Sequence, residues 1–330
     1  MNERKLSNFC MVMLAFSMLV RLLSAMSGSA SAQEAAAQPR VWRVEVIRGQ
    51  AKGGESAGAG ETAPTQSAEA DKPLSAPLEF SPEEADAITI AGGCTYAVDK
   101  GALLTRPSAL DFSGEGPKVL IVHTHSSEAY TQETGWEYEE SDLLRTEEPS
   151  RSIIRVGDEI ASVLESHGIE VLHDTALNDY PTYNGAYARM ETTIERYLKE
   201  YPSIQMVLDV HRDAAADAAG NQVDFTTQLD GESCAQIMLV VGTDQGGLTH
   251  PGWQENLANA LKLQALLNRR YPGLCRDLDL RTERFNQHET SGSLLAEFGS
   301  TGNTLREAIC AGRCFAEGVA ELIEGLEPSR

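Results

Sequence analysis

A chain of 330 residues with a formal net charge of −22 is long enough for one large domain or two small ones with appendages. The acidity excludes nucleic acid as a partner, because a phosphate backbone calls for a basic footprint, and it disfavours loose adsorption to anionic lipid. Six cysteines, widely spaced, do not form the framework of a small disulfide-stapled secreted protein.

The chain begins with Arg4 and Lys5 ahead of an apolar run from Phe9 to Val20, which Arg21 interrupts and Leu22, Leu23, Ala25 and Met26 continue. Ala30-Ser31-Ala32 follows as a small-x-small cleavage motif. Residues 1–32 therefore read as a secretory signal peptide or as an uncleaved amino-terminal membrane anchor in which Arg21 snorkels. Both readings put the rest of the chain outside the cytoplasm, and the retained anchor is the one taken forward. Residues 33–90, rich in Ala, Gly, Ser, Glu and Pro, lack the apolar pattern that would offset their ordering entropy and read as a flexible tether. Within it, "VWRVEVIRG" at 41–49 alternates like a short strand. The remainder, 91–330, reads as one catalytic domain.

In that domain the predicted elements alternate. "KVLIVH" (118–123) is a strand buried on both faces, and "RSIIRVGDEIASVLESHG" (151–168) is a helix with Ser150 or Ser152 as N-cap and Gly168 past its end. "IEVLH" (169–173) is a strand and "YARMETTIERYLKEY" (187–201) a helix. "IQMVLDVH" (204–211) and "QIMLVVGT" (236–243) are strands, and 253–271 is a long amphipathic helix. "SLLAEFG" (293–299) is a last strand before the helix that contains Cys310 and Cys314. The pattern predicts an α/β domain with a largely parallel mixed sheet flanked by helices.

Chemistry concentrates at three strand ends. His123 and His211 close two buried strands, and Glu297 sits near the end of a third, where a charge among Leu294, Leu295, Ala296 and Phe298 needs a partner. Open α/β sheets bind ligands outside the carboxyl ends of their strands, so these residues are expected to meet. Two imidazoles and a carboxylate suit Zn2+ with one position left open. His123, Glu128 and His211 are the expected metal ligands, with His125 the rival of His123 because it lies two residues along. Arg212, in "HRDA", and His288, in "FNQHETSGS", are candidates for stabilising charge in a transition state. "GSTGN" reads as a helix entry more than as an anion cradle. Cys310 and Cys314 share a helix face, but no second pair has zinc-ribbon spacing, so the cysteines read as small buried hydrophobes or an incidental disulfide. There is no G-x-S-x-G elbow, and a serine hydrolase is unsupported.

The segments "VLIVHTHSSEAY", "VGDEIASVLESHGIEVLHD", "YNGAYARM", "PSIQMVLDVHRDA", "VVGTDQGGLTHPGWQENLANALKLQ" and "RFNQHETSGSLLAEFGSTGNTLREA" together resemble the stage II sporulation protein P family, over roughly 117–325. That family is related to zinc-dependent N-acetylmuramoyl-L-alanine amidases. The resemblance implies an amidase-like fold and a membrane-anchored peptidoglycan hydrolase of sporulation engulfment, at the sporulation septum beside sporulation proteins D and M. It also implies an added endopeptidase activity on the peptide crosslink. By position, His123 and His211 look like metal ligands and Glu297 like the catalytic glutamate. The amidases take a further ligand from their first helix, and "SIIRVGDEIA" has no clear equivalent, so Glu128 rests on spacing. The rival readings are a non-catalytic peptidoglycan-binding scaffold and a zinc peptidase acting on other peptides.

Overall fold

The computed structural model of the protein describes residues 78–326. The leader, most of the tether and the 41–49 segment lie outside the described residues. Six helices and nine strands follow one another among them: α1 (Pro82–Ala87), β1 (Ile90–Ala91), α2 (Lys100–Thr105), β2 (Val119–Val122), α3 (Ile154–Ser166), β3 (Val171–His173), α4 (Ala186–Glu200), β4 (Met206–Asp213), β5 (Thr226–Leu229), β6 (Glu232–Ala235), β7 (Ile237–Gly242), α5 (Trp253–Arg270), β8 (Leu278–Arg281), β9 (Gly292–Ser300) and α6 (Leu305–Leu326).

Seven strands form one mixed sheet in the order β1-β8-β7-β9-β4-β2-β3, while β5 and β6 make a separate hairpin. Only β7 and β9 pair antiparallel within the large sheet. Strands β2, β4 and β9 therefore run the same way and end together. The chain passes from β2 to its neighbour β3 and then back across to β4, so the strand order reverses between β2 and β4, the place where open α/β sheets form a crevice.

Strand alternation assigns the two faces. Val119 and Ile121 of β2, with Leu208 and Val210 of β4, join the large core built with α3, α5 and α6. Leu120 and Val122, with Val207, pack in a smaller core against Met190, Ile194 and Tyr197 of α4. Both faces of β2 are covered, which is why its sequence is an unbroken apolar run. Helix α3 ends with His167 and a left-handed Gly168 (φ 78°). Its start carries no side-chain cap on the N-cap residue, Ile153, although Ser152 Oγ accepts from Ile154 N at 3.3 Å.

The folded body starts earlier than composition suggests. Ser81 and Glu84 form a capping box at α1, Arg269 of α5 binds Glu84, and Ala85 and Ile88 are buried in the large core. Residues 81–88, expected as tether, are part of the packed domain. The "GSTGN" stretch is a helix entry: Asn303 Oδ1 accepts from Ser300 N and Phe225 N, and Thr304 and Glu307 exchange hydrogen bonds at the start of α6.

Gly157, in the middle of α3, shows how closely that helix rides on the sheet. A Cβ there would lie 2.5 Å from His173 Nε2 and 2.6 Å from His123 Nε2. Gly157→Ala is expected to destabilise the domain by about 1–3 kcal/mol, because the buried rings must move to admit the methyl group. The check is the midpoint of chemical denaturation; an unchanged midpoint would refute this close packing.

Candidate active site

His123 does not join His211. Its side chain continues the alternation of Val119 and Ile121 and emerges on the α3 face, where Nδ1 lies 3.0 Å from Val210 O and Nε2 lies 2.8 Å from His173 Nε2. His211 belongs to the opposite face, in step with Val207 and Asp209. The register of β2 on β4 puts Val122 opposite Asp209, so His123 is level with Val210, one residue out of phase with His211. A one-residue offset along a strand reverses the face, and the expectation that His123 would be a ligand beside His211 fails on that parity. Burial, then the neighbouring His173, push the His123 imidazole down to about 3, which favours the neutral ring.

His125 takes the place expected of His123. The chain leaves β2 and turns through Thr124-His125-Ser126, bringing the His125 ring to 5.5 Å from the His211 ring, nearly perpendicular to it. Tyr183 stacks on His125 at 4.4 Å with 5° between planes, and Tyr187 of α4 meets it edge-on at 5.6 Å. Asp179 lies 3.6 Å from His125 Nδ1 and holds the same loop by accepting from Ser126 Oγ, Ser127 N, Ser127 Oγ and Arg145. Burial would raise the Asp179 carboxyl, but the neighbouring His125, then Ser127 and the charge of Arg145, outweigh it and hold the group well below its ordinary value. Neither Asp179 nor the tyrosines stand out in the sequence, because they lie in a loop and on a helix start without strand pattern.

Glu128, the ligand candidate taken from spacing, lies beside His211. Its Oε2 lies 3.5 Å from His211 Nδ1 and accepts from Arg212 N at 3.0 Å. Burial would raise this carboxyl, but the hydrogen bond and charge of His211, followed by Arg212 and His125, hold it near 2. His211 Nε2 lies 2.9 Å from Asp209 Oδ1 yet out of line for a hydrogen bond. Thr124 fixes both Asp209 oxygens, through its backbone N at 2.8 Å and its hydroxyl at 2.6 Å. Burial lowers the His211 pKa, but the Asp209 charge overrides it, and the imidazole is held well above its ordinary value. An ionised carboxylate two residues before a strand-end histidine, pointing to the same face, is the signal that would have exposed Asp209 in the sequence.

Glu297 is the direct register partner of His211 across β4 and β9, and the two side chains share a face. The residue keeps some solvent exposure, but its Oε2 is buried and has no hydrogen-bond partner. Burial raises the carboxyl to about 8 against the moderating charge of His211, and Glu128 adds to the rise. Such a group can take and give a proton near neutral pH.

Two further candidates are occupied elsewhere. The Arg212 guanidinium donates to Ala129 O at 2.7 Å and Leu144 O at 2.8 Å, so it fastens the loop after β2 and has its donors committed to carbonyls. His288 is held by Glu289 at 2.9 Å and Glu191 at 3.2 Å. The Arg212 side chain thus has its donors taken up by carbonyls, whereas His288 engages Glu191 and Glu289 through Nε2 and keeps a buried Nδ1 without a hydrogen-bond partner.

Zinc is the ion this family resemblance implies, and the donor set fits it. His125 Nδ1, His211 Nε2 and Glu297 Oε2 are all buried without hydrogen-bond partners, the first two lying near the carboxylates of Asp179 and Asp209. Two imidazoles with the ionised Glu128 carboxylate supply nitrogen and oxygen ligands of the kind zinc takes.

Among solved structures, the chain is similar to the N-acetylmuramoyl-L-alanine amidase AmiC2 of Nostoc punctiforme, at 14% identity over 64% of this chain and 97% of that one, with a TM-score of 0.37. It is also similar to the N-acetylmuramoyl-L-alanine amidase of Clostridium difficile 630, at 14% identity over 63% of this chain and 96% of that one, with a TM-score of 0.36. Stage II sporulation protein P of Bacillus subtilis (strain 168) is 27% identical over 225 residues, which cover 64% of this chain and 52% of the relative. The chain thus spans about half the length of that curated relative. The family model of stage II sporulation protein P matches residues 29–320, nearly the whole chain, and the protein belongs to that family.

Proposed function

We propose that this protein is a peptidoglycan hydrolase of sporulation that cleaves the amide between N-acetylmuramic acid and the L-alanine of the stem peptide, with zinc held by His125, Glu128 and His211. One grouping carries the reading: where β2, β4 and β9 end, the His125 ring lies 5.5 Å from the His211 ring, Glu128 Oε2 lies 3.5 Å from His211 Nδ1, and Glu297 is the register partner of His211. Family membership supplies the cell-wall context.

The chemistry a bound zinc ion would supply is Lewis acidity toward the scissile carbonyl and the attacking water. The chain's own groups do the rest. Asp209, both of whose carboxylate oxygens Thr124 holds, sets a fixed negative charge beside the His211 imidazole. Asp179 and Tyr183 flank the His125 ring. Glu297, its carboxyl raised by burial, takes the proton of the attacking water and returns it to the departing amine. A cavity of about 470 Å3 opens beside Tyr187, whose ring meets His125 edge-on, with Glu191, Leu248, Arg284 and Phe285 in its walls, and its volume would admit part of a stem peptide.

Action on the peptide crosslink belongs to the same proposal, as do a membrane anchor formed by the leader and partnership with sporulation proteins D and M. Among the described residues no helix is long and apolar enough to cross a membrane. Purified sacculi incubated with the protein should release stem peptides, and a chelator should stop the release until zinc is restored. Intact sacculi under both conditions would sink the hydrolase and favour a binding role. Release of crosslink fragments without stem-peptide amines at the muramic end would redirect the activity to a peptidase.

A further inference from the structure

Cys310 and Cys314 lie one turn apart on α6, and the fold brings Cys234 of β6 against them, so that the three sulfurs all lie within 4.8 Å of one another. None is in a disulfide. Cys234 is fully buried and the other two nearly so. We propose that Cys234, Cys310 and Cys314 form a second metal site, distinct from the Glu297 crevice, which takes a thiophilic d10 ion, monovalent copper or zinc, through three sulfurs.

The distances suit it. Metal–sulfur bonds of about 2.3 Å put the sulfurs of a trigonal or tetrahedral set about 4 Å apart, inside the observed limit, so little movement is needed to close the site. The ligand chemistry suits it as well, since three soft donors with no oxygen or nitrogen ligand among them select copper(I) or zinc over magnesium or calcium. Binding releases the three thiol protons to solvent and leaves three thiolates on the ion.

The site would act as a staple. Cys234 sits in the β5–β6 hairpin, whose Ser233 hydroxyl donates to Glu307 of α6 at 2.7 Å. The next residue, Ala235, packs where a Cβ on Gly299 would come within 2.9 Å, and Gly299 lies two residues beyond Glu297. An ion on the three sulfurs would therefore lock the hairpin to α6 and steady the turn that follows the catalytic strand. The sequence conceals this, because Cys234 is remote from the helix pair and no motif spacing links them.

The test uses the full chain, reduced and freed of metal, titrated with Cd2+ as a spectroscopic probe of thiolate ligation. The parent should develop thiolate-to-metal charge-transfer absorption that saturates at about one equivalent, and its Tm should rise. Cys234→Ser and Cys310→Ser, made separately so that one misfolded variant does not decide the outcome, should lose the absorption and the share of the Tm rise that persists in His211→Ala. Cys94→Ser, whose half-buried thiol lies outside the cluster, should keep both. His211→Ala should also keep both, which separates this site from the proposed zinc site. Displacement of Cd2+ by Cu+ assigns copper, and displacement by Zn2+ alone assigns zinc. Absence of the absorption in the parent, its persistence in both cysteine variants, or a disulfide from Cys234 to either helix cysteine in protein isolated without reductant would overturn the proposal.

Discussion

His125→Ala is expected to lower both zinc retention and hydrolysis by at least about 100-fold while leaving the fold intact, because it removes a proposed ligand whose ring is set by its neighbours and not by the core. His123→Asn should do something different. Asn still offers a donor to Val210 O, but the contact with His173 is lost inside a fully buried site, so a stability cost of about 1–3 kcal/mol is expected with zinc stoichiometry unchanged in the folded fraction. Metal analysis of the two purified variants, with a denaturation curve for each, reads both effects. Zinc lost from the Asn variant and kept by the Ala variant would restore His123 as ligand and remove His125.

The exchange between these two histidines shows what the sequence makes legible and where it stops. The apolar run of β2, the strand ends at His211 and Glu297, and the spacing of Glu128 are all readable, since continuous burial and a charge in an apolar strand are local patterns. Which face His123 occupies is not local. It depends on the register of β2 on β4, set by packing on both sides of the sheet, and a strand buried on both faces carries no polar alternation to reveal that parity. The same limit hid Asp209, which looks like one more residue of a buried strand until its partners Thr124 and His211 are seen.

Smaller elements escaped for other reasons. The β5–β6 hairpin turns at Asp230-Gly231, both with positive φ, and Asp-Gly between alternating residues is a hairpin signal that was present in the chain. Its strands are four residues each and mostly polar, too short to register as period-two runs. Strand β8, "LDLR", is equally short, and its pairing between β1 and β7 is what makes it a strand. The α1 segment was absorbed into the tether by its Pro, Glu and Ala content, although Ser81 followed three residues later by Glu84 is the capping-box spacing. Long-range contacts with Arg269 and the core decide its fate, and composition does not contain them.

The second large effect concerns Glu297→Gln. The amide keeps the shape and hydrogen-bonding reach of the carboxyl but has no basic oxygen. If Glu297 carries the proton, zinc content and denaturation midpoint should stay near those of the parent while turnover falls by about 10²–10⁴-fold. Stability is expected to hold because the carboxyl gains little from its surroundings. Oε2 has no hydrogen-bond partner, and burial already pushes the group toward its neutral form, which the amide resembles. A residue retained for stability would show the reverse: an ion pair that holds it ionised and a fold that weakens when it is replaced. If zinc affinity fell in step with activity, Glu297 would be a ligand, and the set of His125, Glu128 and His211 would need revision. Hydrolysis at the parental rate by the Gln variant would remove Glu297 from the chemistry and leave its unpaired oxygen, facing His211 across β4 and β9, without a function.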